Sequence, residues 1–153
     1  MFPTWFKKIG NQLIIVTIFS VVFLCNCNIK EKPVIYADVD NCLQCGMVIN
    51  QVNQGCGYLS NNEFTTFCSP TCLLNKYQST EKSGRPVVSQ VYFADYPTTD
   101  LIQADSMLFL LTNHITTVMN SGVLTFHDPD EASSYKKHED EILTNWRGFR
   151  ISR

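Results

Sequence analysis

Thr66-Phe67-Cys68-Ser69-Pro70 and Thr125-Phe126-His127-Asp128-Pro129 are built on one plan. In each, a β-prone run ends in phenylalanine, a small polar residue follows as a helix N-cap, and proline takes the first helical position, where no backbone N–H is needed. Asp128 is followed by Glu131 at the place a capping box sets its acid. In the first copy that place is held by Cys72, and Cys45-Gly46-Met47 has a faint counterpart in Asp105-Ser106-Met107. The recurrence predicts an α+β fold of two similar small ββαβ units packed side by side, over about 37–83 and about 84–153.

Outward from these anchors, Met47 to Val52 and Phe64 to Phe67 read as the strands of a first hairpin, punctuated by Gly55, Gly57, Asn61 and Asn62. A helix from Pro70 to about Tyr77 follows, then a polar linker from Ser79 to Pro86. Val87 to Phe93 reads as a strand ending at the Asp95-Tyr96-Pro97 turn. Ala104 to Thr112 and Val123 to Phe126 give two more strands. The second helix is expected to carry Ala132, Tyr135, Ile142 and Leu143 inward, with His138 on its solvated face.

The N-terminus carries Lys7 and Lys8 ahead of an apolar run from Leu13 to Leu24, the pattern of an export signal. Leu24-Cys25-Asn26-Cys27 is similar to a bacterial lipobox. Residues 1–26 are therefore expected to be a lipoprotein signal peptide, Cys27 the lipid attachment site, 27–36 a polar tether and 37–153 the metal-binding domain. That puts the chain in the cell envelope, held to a membrane by its lipid anchor, with the domain outside the cytoplasm. The competing reading is an uncleaved signal anchor.

With Cys25 removed and Cys27 acylated, Cys42, Cys45, Cys56, Cys68 and Cys72 remain. An odd set of thiols in an oxidising compartment cannot all pair within one chain, which favours a site over a pure disulfide framework. The formal charge of the 153-residue chain is −2, with no basic stripe; nucleic acid, which demands clustered lysine and arginine, is excluded as a partner. No phosphate-binding glycine loop, catalytic triad order or acid–base pair of carboxylates is visible, so neither an enzyme nor a small-molecule substrate is implied.

Thiol and thioether sulfur together point to a soft ion, copper(I) above all. In Cys42-Leu43-Gln44-Cys45-Gly46-Met47 a two-residue spacer lets Cys42 and Cys45 converge, and Gly46 permits a sharp turn. If that run enters a strand, Cys45 and Met47 share a face; core packing is the alternative for Met47. Cys68 and Cys72 flank the helix start, where the dipole is expected to favour a thiolate at Cys72. They are candidates for a second metal site or a disulfide, or, with Cys42 and Cys45, for a closed zinc tetrathiolate. Oxidoreductase chemistry is disfavoured, because the C-x-x-C is followed by a strand pattern instead of opening a helix. Met119 lies in a polar loop, and His114 and His127 lack diagnostic spacing.

The order of these elements resembles the NosL family: a lipobox, Cys-x-x-Cys-Gly-Met, a strand ending in Phe before a capped helix, Tyr92-Phe93-Ala94-Asp95-Tyr96 with Ala104 downstream, then Thr-x-Met-x-x-Gly before Leu124-Thr125-Phe126. The resemblance implies a copper(I)-binding lipoprotein acting as a metallochaperone for assembly of nitrous oxide reductase, its partners being a copper transporter complex or the reductase itself. It implies Cys45, Met47 and Met119 as metal ligands, with Cys42 beside them. Val118 and Asn120 flank Met119 where the family commonly has Pro and Gly. Phe67-Cys68-Ser69-Pro70-Thr71-Cys72 also resembles the Cys motif of TRASH and YHS metal-binding modules. The alternative function is a structural or interaction lipoprotein held by zinc or disulfides through Cys42, Cys45, Cys68 and Cys72.

Overall fold

The computed structural model describes residues 32–83 and 90–152; Cys27 and the signal segment lie outside the described residues. The first hairpin pairs β1 (Cys56–Ser60) with β2 (Glu63–Phe67), Cys56 standing opposite Phe67. Asn61 and Asn62 turn it with φ of 52° and 64°, the left-handed pair that matches strand twist and that asparagine tolerates. Helix α1 (Pro70–Lys82) follows, then β3 (Gln90–Ala94), which pairs antiparallel with β1 and carries the short β4 (Leu101–Gln103) on its far side. The four-stranded sheet thus has the order β2-β1-β3-β4.

The second half repeats the first. β5 (Leu108–Leu111) pairs with β6 (Val123–Phe126), α2 (Pro129–Tyr135) crosses, and β7 (Ile142–Asn145) returns to the other edge of β5, giving the order β6-β5-β7. Two ββαβ units are present, each with its first strand central. The caps match too. Ser69 Oγ accepts the Cys72 N–H at 3.3 Å, and Asp128 Oδ1 accepts the Asp130 and Glu131 N–H groups at 2.7 and 3.1 Å.

Several boundaries differ from the sequence reading. Residues 47–52 form no strand of a sheet, only a bridge between Asn41 and Val48; the first strand is β1, with Gly57 inside it. A Cβ at Gly57 would stand 2.5 Å from the Thr65 carbonyl oxygen and clash with the edge of the Phe64 ring, so this glycine serves close packing and not a turn. Helix α1 runs on to Lys82, beyond the expected end at Tyr77. The expected strand from Ala104 to Thr112 opens instead with a 3-10 turn over Ala104–Ser106. Met107 follows that turn directly into β5 and is buried, whereas Met47 is exposed and separated from β1 by the Val52–Gln54 turn, so the two methionines are not counterparts. Helix α2 stops at Tyr135, and Ile142 and Leu143 belong to β7. Helix α3 (Trp146–Ile151), capped by Asn145, went unread.

One core lies along α1, the first sheet and α3. Phe67, Phe93, Phe109 and Phe149 are fully buried there, with Phe109 and Phe149 stacked at 4.9 Å. Ile35, assigned by the sequence to the tether, is also buried in it. A second cluster of Leu110, Leu124, Phe126 and Ala132 sits under α2. β5 serves both, Phe109 going to one cluster and Leu110 to the other, as the period of two in a strand dictates. The two sheets are joined where Tyr96 N–H donates to Thr125 O at 2.8 Å and Thr125 Oγ1 donates to Ala94 O at 2.6 Å. No helix among the described residues is long and apolar enough to cross a membrane.

Candidate metal centre

Cys42 and Cys45 lie on a tight loop. Cys42 N–H donates to Met47 O and Gly46 N–H to Cys42 O, both at 2.8 Å, and Gly46 takes φ 76°, a conformation glycine adopts without a Cβ penalty. That turn removes the strand geometry on which a shared face for Cys45 and Met47 depended. The loop is clamped to β2: Leu43 N–H donates to Thr66 O at 3.0 Å, and Thr66 Oγ1 to Asn41 O at 3.1 Å. It is thereby held beside Phe67, Cys68 and the start of α1.

The consequence is a single cluster. The Sγ atoms of Cys42, Cys45, Cys68 and Cys72 all lie within 4.8 Å of one another, and among the described residues no other group of three or more His, Cys, Asp or Glu side chains could share an ion. Cys45 Sγ is 3.6 Å from Cys68 Sγ, which is 3.8 Å from Cys72 Sγ. All five described cysteines are free thiols. Cys68 and Cys72 therefore lie in one cluster with Cys42 and Cys45.

Burial divides the four. Cys42, Cys68 and Cys72 are 1%, 2% and 7% exposed, while Cys45 is open to solvent. Burial works against a Cys42 thiolate, but the backbone N–H groups of Cys68, Cys45 and Gln44 point at its sulfur, joined by the Cys45 thiol, and their sum lowers its pKa. Burial pushes Cys68 up, reinforced by its contacts with Cys42 and Cys45. Cys72 was expected to be lowered by the helix start. Instead burial raises it, and the Ser69 hydroxyl offsets only part of that. Cys56 is wholly buried and well raised by desolvation, then by the neighbouring sulfur charges; its thiol contacts Phe67 O at 3.9 Å, and it is a core residue.

The two candidate methionines stand at the surface. Met47 is 45% and Met119 54% exposed. Met119 has φ 57° in a 3-10 turn over Val118–Asn120. Its loop is fixed on the α1 side, because Val118 N–H donates to Gln54 Oε1 at 2.8 Å and Thr71 Oγ1 to Ser121 O at 3.4 Å. Thr71 directly precedes Cys72, so the two halves meet at the cluster's helix. The sequence reading missed Gln54, which follows Asn53 and precedes Gly55 in a polar run that reads as a surface turn; only the fold shows that it is buried. His127 caps structure through Asp95 and Ser106. His114 stacks on His138 at 3.7 Å and bonds Asp140 at 3.0 Å.

The model of the NosL family matches residues 33–144. The chain belongs to the NosL family. Its fold is similar to the crystal structure of the copper chaperone NosL from Shewanella denitrificans, with TM-score 0.61 and 19% identity over 76% of this chain and 95% of that one. No curated protein shows significant sequence similarity to it. NosL membership and the thiol cluster converge on metal binding, and the family is not one of enzymes.

Proposed function

We propose that this NosL-family chain is a copper(I) chaperone of the cell envelope, anchored by lipid at Cys27 and delivering copper for assembly of nitrous oxide reductase, to a transporter complex or to the reductase itself. The observation that carries the reading is the exposed Cys45 thiol standing 3.6 Å from Cys68 at the mouth of three buried thiols. Thiolate and thioether sulfur suit copper(I). A chaperone must also release its cargo. Cys42 supplies a buried sulfur inside, Cys45 offers copper to an incoming ligand, and the exposed thioethers of Met47 and Met119 supply weak donors for the exchange. The solved relative is itself described as a copper chaperone, and the destination follows the family resemblance.

Competition with a chromophoric copper(I) chelator tests the cargo. Tight copper(I) binding that weakens in Cys42→Ser, Met47→Leu and Met119→Leu supports the reading; copper(I) affinity no better than that of a protein lacking the cluster overturns it. For the anchor, mass spectrometry of the mature protein should find Cys27 acylated, and an unmodified Cys27 thiol removes that part.

A further inference from the structure

We propose that Cys42, Cys45, Cys68 and Cys72 form one tetrathiolate that binds a divalent d10 ion, zinc(II), when copper(I) is absent. This goes beyond the copper reading, since it assigns the same thiols a second ion with a different geometry. Four sulfurs bound at about 2.3 Å to a tetrahedral ion stand about 3.8 Å apart. The contacts of 3.6 Å and 3.8 Å along Cys45, Cys68 and Cys72 already have that spacing, and Cys42 lies within 4.8 Å of each. The spacing along the chain, Cys-x-x-Cys and then Cys-x-x-x-Cys, supplies two sulfurs from a loop and two from a helix start.

Charge separates the two ions. Three of the four sulfurs are at most 7% exposed, and buried charge is costly unless it is compensated. A divalent ion compensates twice as much thiolate charge as copper(I). On binding, each thiol still protonated gives its proton to the buffer and its sulfur lone pair to the ion, with no change of oxidation state. The loop carrying Cys42 and Cys45 would then be stapled to α1 by metal as well as by the Leu43 to Thr66 hydrogen bond.

The test uses the purified full chain, reduced and anaerobic, titrated with zinc(II) and, as a spectroscopic probe, cobalt(II). Expected are one ion per chain, the absorption of tetrahedral thiolate-bound cobalt, and a zinc shell of four sulfurs by X-ray absorption. Cys45→Ser, on the exposed loop, should leave three sulfurs, and Cys56→Ala should leave four. A wild-type shell with fewer than four sulfurs, or one that loses a sulfur in Cys56→Ala, overturns the proposal. Copper(I) titration in parallel keeps the two readings apart. A chain that takes copper(I) but no zinc(II) defeats this inference alone, and a four-sulfur zinc form that copper(I) cannot displace upholds it while defeating the copper reading.

Discussion

Gln54 Oε1 accepts the Val118 N–H at 2.8 Å, linking the turn before β1 to the Met119 loop across 64 positions of sequence. Gln54 is 4% exposed and its amide nitrogen donates to Gln51 at 2.8 Å, so its orientation is fixed from both ends. The second ββαβ unit thus holds the exposed Met119 loop against the first by one buried amide and the Thr71 to Ser121 contact.

Gln54→Ala should therefore loosen the loop without removing any sulfur. A hydrogen bond of this kind is worth about 1 kcal/mol net, so stability should fall by about that amount. The Val118 amide should exchange with deuterium faster than in the wild type. Unchanged exchange at Val118 would show that the loop is held by packing alone.

Ser69 links helix stability to the chemistry of Cys72. Its hydroxyl accepts the Cys72 N–H and counters the rise that burial imposes on the Cys72 thiol. Ser69→Ala should destabilise the fold by about 1 kcal/mol, the usual value of an N-cap, and move the Cys72 pKa further up. Chemical denaturation reads the first effect, and the pH dependence of Cys72 alkylation in unfolding-free conditions reads the second. A stable variant with an unmoved Cys72 profile would defeat both.

Glu141 gives the fold a built-in acid sensitivity. The Thr112 hydroxyl at 2.5 Å, then the His138 and Lys137 N–H groups at 2.9 and 2.7 Å, hold its carboxylate at about 2. Its folded pKa is depressed, so its contribution is complete above the unfolded value of about 4.3 and is lost as pH falls from there through about 2. Glu141→Gln should be less stable than wild type at neutral pH, and the gap should narrow over that window. Urea midpoints across the acid range check this; a gap independent of pH refutes it.

What was legible in the chain was local. Ser69-Pro70 and Asp128-Pro129 announce helix starts through side chains a few residues away, and both are where the sequence put them. What failed depended on distant partners. Gly57 looks like turn punctuation until the Phe64 ring occupies the space of its missing Cβ. Ile142 and Leu143 fit a helical period, but the chain turns extended at Lys136, and Glu141 then folds back to accept the Lys137 and His138 N–H groups just before β7. The four cysteines allowed several pairings by spacing. The clamp of the Cys42 loop on Thr66, from Leu43 N–H and to Asn41 O more than 20 positions away, brings them to one point.

Access and thiolate character compete in that cluster, and alkylation of the metal-free protein decides between them. Cys42 has a lowered pKa but is 1% exposed; Cys45 is open to solvent. An alkylating reagent must reach sulfur before its ionisation matters. Iodoacetamide should therefore label Cys45 first, Cys42 only after local opening, and Cys56 last, because it is both fully buried and well raised. Copper(I) or zinc(II) should slow labelling of Cys45 strongly, since its lone pair is then engaged. Peptide mass spectrometry over a time course gives the order directly. Labelling of Cys42 ahead of Cys45, or a Cys45 rate indifferent to metal, would show that the exposed sulfur is not the gate of the cluster and would shift the exchange role to the buried thiols.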